Sequence, residues 1–221
     1  MKELQGNRVE GELVKTVFYS LLTSFVFLGV IYFVLGNSVP DFISEYGFFL
    51  FFAALSYAVI VPAVRQVRAY KELGCMAGMM AGMIIGAAAG FLVGFTVGAT
   101  NGMFVGGVFG MAVGIFLGVW NGNCCGVMGV MEGIMAGFMG GLMGAMTAVM
   151  TLNDYLLWMG GIVFLVCAVM LSGLHYMVYK EMRESERQKK EDHFFTIVLT
   201  FVLMALTTAV IVFGPRSALF G

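Results

Sequence analysis

An all-α integral membrane protein of about seven spans, packed glycine against glycine at its centre, is the fold class that three features of the sequence predict. Hydrophobic residues make up 60% of the chain and charged residues only 11%, a balance that belongs to membrane proteins rather than soluble ones. Apolar runs of about 20 residues, the length that crosses a bilayer, recur along the chain. Glycine stands at every fourth position from Gly74 to Gly126 without a break, and Gly129, Gly133, Gly137 and Gly141 resume the step in a new phase. In water so much glycine would weaken a helix by about 1 kcal/mol per residue relative to alanine. In lipid, small residues four apart let helix backbones come close and gain dispersion contacts.

The first apolar run, 14–35, follows a charged N-terminal segment. It is too long for a signal-peptide core and no Ala-x-Ala site follows it, so it reads as a retained helix. The second, 47–64, contains Pro62, which is expected to kink or end it. Spans 75–99, 103–120 and 124–150 form the Gly/Met-rich centre, jointed by the turn formers Asn101-Gly102 and Asn121-Gly122-Asn123. With Asn153-Asp154 leading into span 155–178, these short joints predict that spans three to six are antiparallel and neighbour one another in series. Spans three and four share one glycine phase and each ends in Asn-Gly, a pattern open to two readings, duplication or one packing rule used twice. Tyr155, Trp158 and Trp120 sit at span ends, where aromatic side chains anchor helices at the membrane interface. The stretch 180–193 pairs Lys180 with Glu184 and Glu186 with Lys190 at helical spacing and is expected to carry span six into water as a solvated helix. Span 194–213 completes the set. The whole of 1–221 reads as one membrane domain: two N-terminal spans in 1–73, a three-helix core in 74–153 and two C-terminal spans in 154–221.

Basic residues set the orientation. Lys2, Arg8 and Lys15 precede span one, Arg65, Arg68 and Lys71 follow span two, and Lys180, Arg183, Arg187, Lys189 and Lys190 follow span six. With seven spans all three clusters fall on one side, which places the N-terminus in the cytoplasm and the C-terminus outside, with the cell's inner membrane the expected location. The opposite loop carries Asp41 and Glu45 and no basic residue, and Arg216 is the one dissenting charge. A net charge of −1 supplies no basic field for nucleic acid.

Between Glu72 and Asp154 the only charged residue is Glu132, inside span five. An ionisable side chain in a membrane helix is costly, and it marks a pathway, relay or binding site unless it is neutralised by protonation and hydrogen bonding. At 100° per residue Met128, Met135, Met139, Met143, Met146 and Met150 share its side of the helix, while the glycines fall mostly on the adjacent face. Span five therefore carries a glycine seam beside a thioether row with one carboxylate, and the row is expected to face the protein interior. Met76, Met79, Met80 and Met83 form a second cluster at the start of span three, where Cys75 also stands; Cys124 and Cys125 open span five. Soft thioether and thiolate ligands select soft ions such as Cu(I), and a ladder of weak sites lets an ion enter and leave. Packing alone accounts for methionine as a flexible filler of the gaps glycine leaves, and for cysteine as a small buried residue, but not for the carboxylate. The close-contact seams are assigned to Gly78, Gly82, Gly86, Gly90 and Gly94, to Gly106, Gly110, Gly114 and Gly118, and to Gly133, Gly137 and Gly141.

The four cysteines, Cys167 among them, follow no disulfide framework and read as free thiols. His175 and His193 read as hydrogen-bonded or interfacial end residues, and two distant histidines argue against a bis-histidine haem. No catalytic triad, phosphate loop, His-x-x-x-His or Cys-x-x-Cys pair is present, so no enzymatic activity is expected and no cofactor is required.

The stretch from Met131 and Glu132 through Gly133, Met135, Gly137, Met139, Gly141 and Met143 to Met146 resembles Gly/Met-rich membrane domains of small bacterial proteins that handle copper or other heavy metals, over spans three to five. That resemblance and the ligand types together imply a transporter or channel for a soft cation, Cu(I) preferred. Glu132 and the methionines would line the path, and Cys75, Cys124, Cys125, Met76, Met79 and Met80 would hold metal at the cytoplasmic mouth. Two other readings stand beside it: a glycine-zipper accessory subunit of a larger membrane complex or homo-oligomer, and a proton or monovalent-cation pathway through Glu132.

Overall fold

The computed structural model describes residues 9–35, 42–69, 74–152, 155–181 and 193–215. Within them lie seven helices and no strand: α1 Val9–Leu35, α2 Phe42–Ala69, α3 Cys75–Asn101, α4 Met103–Gly122, α5 Val127–Met150, α6 Leu156–Glu181 and α7 His193–Phe213. Each contains a segment long and apolar enough to cross a membrane. The helix α2 continues past Pro62 to Ala69, where an end was one of the two expected outcomes. Of the solvated extension of span six, only the first residues, to Glu181, lie within the described chain. Lys2, Arg8, Asp41, Lys71, Asn153, Asp154, Arg183, Arg187, Lys189, Lys190 and Arg216 lie outside the described residues.

The centre is a triangle of α3, α4 and α5, in which backbone meets backbone. A Cβ on Gly90 would stand 2.9 Å from the Gly137 carbonyl oxygen, one on Gly118 2.6 Å from that of Gly133, and one on Gly110 2.7 Å from the Gly94 Cα. Real side chains do not approach backbone so closely, so only glycine admits these contacts. The pairing runs antiparallel between α3 and α4, from Gly82 beside Gly122 to Gly98 beside Gly106, and parallel between α3 and α5, from Gly86 beside Gly133 to Gly98 beside Ala145. A second seam on α5, Gly140 and Gly144, lies on the backbone of Ala87 and Phe91 in α3.

Two joints close the triangle. Gly102 alone separates α3 from α4, at φ 92° and ψ 170°, and Gly126, at φ 66° and ψ −148°, turns the chain into α5 after one 3-10 turn, Asn123–Cys125. Both conformations are open essentially to glycine alone.

The remaining helices pack by side chains. Phe52 of α2 lies 5.8 Å from Phe95 of α3 and 5.9 Å from Phe164 of α6, ring centroid to centroid. The Tyr57 hydroxyl is 2.5 Å from Thr207 Oγ1 on α7, and Arg65 donates to Thr16 Oγ1 on α1 at 2.6 Å. Short joints led us to expect α6 beside α5, but α6 packs on α3 and α2 instead. The seams of α5 are already taken up by α3 and α4, whereas α6 turns Gly160 toward the rings of Phe95 and Phe52.

Candidate functional site

Several contacts gather at one end of the bundle. Late α2 meets early α1 through Arg65 and Thr16, late α6 through Gln66 and His175, and late α4 through Arg68, whose guanidinium lies 4.4 Å from the Trp120 ring centroid. The start of α3 meets the joint between α4 and α5 at the same end. There Cys124 and Cys125, carried by the 3-10 turn, reach toward Cys75 from fifty positions further along the chain. The Cys125 thiol donates to the Cys75 carbonyl oxygen at 2.8 Å. Cys124 Sγ stands 3.9 Å from Cys125 Sγ and 3.4 Å from the Asn121 carbonyl oxygen.

Gly78 opens the niche for this cluster. A Cβ there would fall 2.5 Å from Cys124 Sγ and 2.7 Å from Cys125 Sγ. The glycine belongs to the same four-residue series as the seams, yet it accommodates two sulfurs rather than a helix. Sequence reasoning missed this role because spacing alone does not say what a glycine faces.

Two sulfurs each about 2.3 Å from one metal ion stand no more than about 4.6 Å apart, so the Cys124–Cys125 separation admits a bridging soft ion. Among the described residues, no group of three or more His, Cys, Asp or Glu side chains is arranged to hold a metal ion. Cys75 and Cys124 are exposed and Cys125 is half-buried, while Cys167 is buried in α6. Met79 is half-buried, whereas Met76 and Met80 are exposed on the surface of α3.

Glu132 is half-buried in α5. It lies five residues past Val127, about 8 Å along the helix axis at 1.5 Å per residue. The carboxylate thus sits near the start of the span, at the end of α5 that follows Cys124 and Cys125. The structure brings acid and thiols to one end, which the sequence had separated into a path and a mouth.

The methionine row does not face the interior as expected. Met128, Met135, Met139, Met143 and Met146 are exposed, Met128 at 67% and Met135 at 63%. The reason is geometric: the inner side of α5 is glycine in backbone contact with α3 and α4, and a triangle too tight for a Cβ holds no thioether lining. His175 fits its sequence reading, for its Nδ1 is hydrogen-bonded to Gln66 Oε1. His193 opens α7.

Seven apolar helices around a backbone-packed centre make this an integral membrane protein, with the lipid bilayer as its surroundings. Against known proteins, no family model, curated protein or solved structure matches the chain.

Proposed function

We propose that this protein handles a soft metal cation in the membrane, Cu(I) by preference, taken up as cargo at the end marked by Cys75, Cys124 and Cys125. One observation carries the reading: the Cys124 and Cys125 thiols share a niche that Gly78 leaves open, with Cys125 hydrogen-bonded to the backbone of Cys75 fifty positions away. Thiolates select soft ions over the hard ions that oxygen ligands suit. The exposure of Cys75 and Cys124 supports exchange with a donor, and Glu132, about 8 Å into α5 at the same end, is the acidic side chain that a cation would meet next. By the basic-residue rule this end is cytoplasmic.

Onward movement follows Met128, Met135, Met139, Met143 and Met146 along the outer face of α5, as weak thioether sites that release what they bind. A second copy of the chain facing this row would shield the ion from lipid. The accessory-subunit reading expects a dry interior and glycine faces turned outward to another helix; the centre is backbone on backbone, and its glycine faces are filled by one another. The proton-pathway reading relied on Glu132 alone.

The test loads purified protein with Cu(I) and measures copper per chain by elemental analysis. The parent is expected to retain copper, the combined variant Cys75→Ser, Cys124→Ser and Cys125→Ser to lose most of it, and Cys167→Ser to match the parent. Equal copper in the parent and the triple variant sinks the proposal.

A further inference from the structure

Consecutive side chains in a three-residue turn point apart by about 120°. Cys124 and Cys125 stand in such a turn, between α4 and α5, yet both sulfurs enter the one niche that Gly78 leaves and lie 3.9 Å from each other. A disulfide holds its sulfurs at about 2.05 Å, so the two side chains have a short way to close. The turn has room to adjust, because Gly126 follows directly and nothing lies within 4 Å of where its side chain would stand. Consecutive Cα atoms are about 3.8 Å apart across a trans peptide, which is shorter than the usual span of a disulfide. The bond would therefore be strained, and a strained, exposed disulfide is one that thiols readily reduce.

We propose that Cys124 and Cys125 form a reversible oxidation site, in which a small disulfide such as glutathione disulfide converts the thiol pair into a vicinal disulfide. Cys124 leads because it is exposed, while Cys125 is half-buried and held in the niche by its bond to the Cys75 carbonyl. The Cys124 thiol loses its proton, and its thiolate attacks one sulfur of the small disulfide. That sulfur–sulfur bond breaks, one thiolate leaves and a mixed disulfide remains on Cys124. Cys125, as thiolate, then attacks Cys124 Sγ and releases the second small thiolate. Two protein thiols are oxidised, the small disulfide is reduced to two thiols, and the protons given up by the cysteines end on those thiols. The basic-residue rule places the pair in the cytoplasm, where thiols are kept reduced, so the dithiol is the resting form. Oxidation removes two of the three thiols that would hold Cu(I). That consequence rests on the metal reading; the oxidation itself does not.

The test treats purified full-length protein with excess glutathione disulfide, maps the cysteines by peptide mass spectrometry, and measures copper per chain on reduced and oxidised samples freed of glutathione. The peptide carrying Cys124 and Cys125 is expected to lose two hydrogens, and Cys167, buried in α6, to remain a thiol. Cys75→Ser should leave the disulfide in place, and Cys125→Ser should stop at a glutathione adduct on Cys124. The oxidised protein should bind several-fold less copper and regain it after reduction. A pair that stays reduced, a glutathione adduct that persists on Cys124 of the parent, a bond from Cys75 to either cysteine, or full copper binding by the oxidised protein would each overturn the proposal. A reduced parent that binds no copper would sink the metal reading, while the mapped disulfide would still support the oxidation site.

Discussion

The triangle of α3, α4 and α5 and the surrounding α1, α2, α6 and α7 solve the same problem by opposite means. Lipid is as apolar as leucine, so burying apolar side chains gains little there, and association must come from close packing or hydrogen bonds. The triangle uses packing alone: glycine faces bring three backbones into contact with almost nothing between them. The outer helices use side chains, with rings such as Phe27 on Phe201 at 4.9 Å and buried polar links such as Tyr57 with Thr207. Tightness is set by the backbone in one region and is adjustable by rotamers in the other. A change of one methyl group should therefore be far worse at the centre than at the edge.

The sharpest way to break this contrast is to add that methyl at Gly137, where a Cβ would meet the backbone of Gly114 and Ile115. Gly137→Ala should destabilise by about 3 kcal/mol or more, at the upper end of overpacking costs, read as an earlier unfolding midpoint in mixed detergent with dodecyl sulfate. The same change at Gly161 of α6, where nothing lies within 4 Å, should stabilise by about 0.5–1 kcal/mol through helix propensity. If both variants unfold alike, backbone contact is not what holds the centre.

Gly78→Ala refines the comparison within a single glycine series. Its Cβ meets the ends of two cysteine side chains rather than backbone, so the fold should lose less than about 1 kcal/mol because those rotamers can move. The thiols would no longer lie together, and bound copper per chain should fall several-fold while all three cysteines remain. A copper content equal to the parent's would mean that the niche has no part in metal binding.

The smallest expected effect belongs to the outer helices. Tyr57→Phe removes the bond to Thr207, but Thr207 Oγ1 keeps its bond to the Leu203 carbonyl. The expected cost is about 0.6 kcal/mol, the usual size for a hydrogen bond between membrane helices, measured by the same detergent titration. A loss as large as that at Gly137 would erase the distinction between the two regions.

The seven helices were legible because the length and apolarity of a span are written in consecutive residues. The seams were legible because helical period and glycine step combine into one face. The direction of the methionine row was not, since a thioether facing lipid and one facing the interior have equally apolar surroundings, and the polarity contrast that orients a helix in water is lacking. The same difficulty hid the position of α6: a short joint limits how far a helix can travel but not which neighbour it meets, and Phe95 and Phe52 settle that through contacts far apart in sequence. For the candidate site, residue types marked Cys75, Cys124 and Cys125, and the alternation of spans put them at one end. The part of Gly78 emerged only from three-dimensional neighbours.

A ladder of identical rungs has a weakness that side-chain packing avoids. Slide one glycine face past another by four residues, about 6 Å, and nearly every rung finds an equivalent partner, so the seam by itself leaves alignment undecided among several offsets. The single residue between α3 and α4 removes that ambiguity, because a connection one glycine long has no slack for a slip of a full turn. Gly102 thus acts as the zero mark of the whole scale, and the long, repetitive surfaces beyond it inherit their one alignment from the shortest link in the chain.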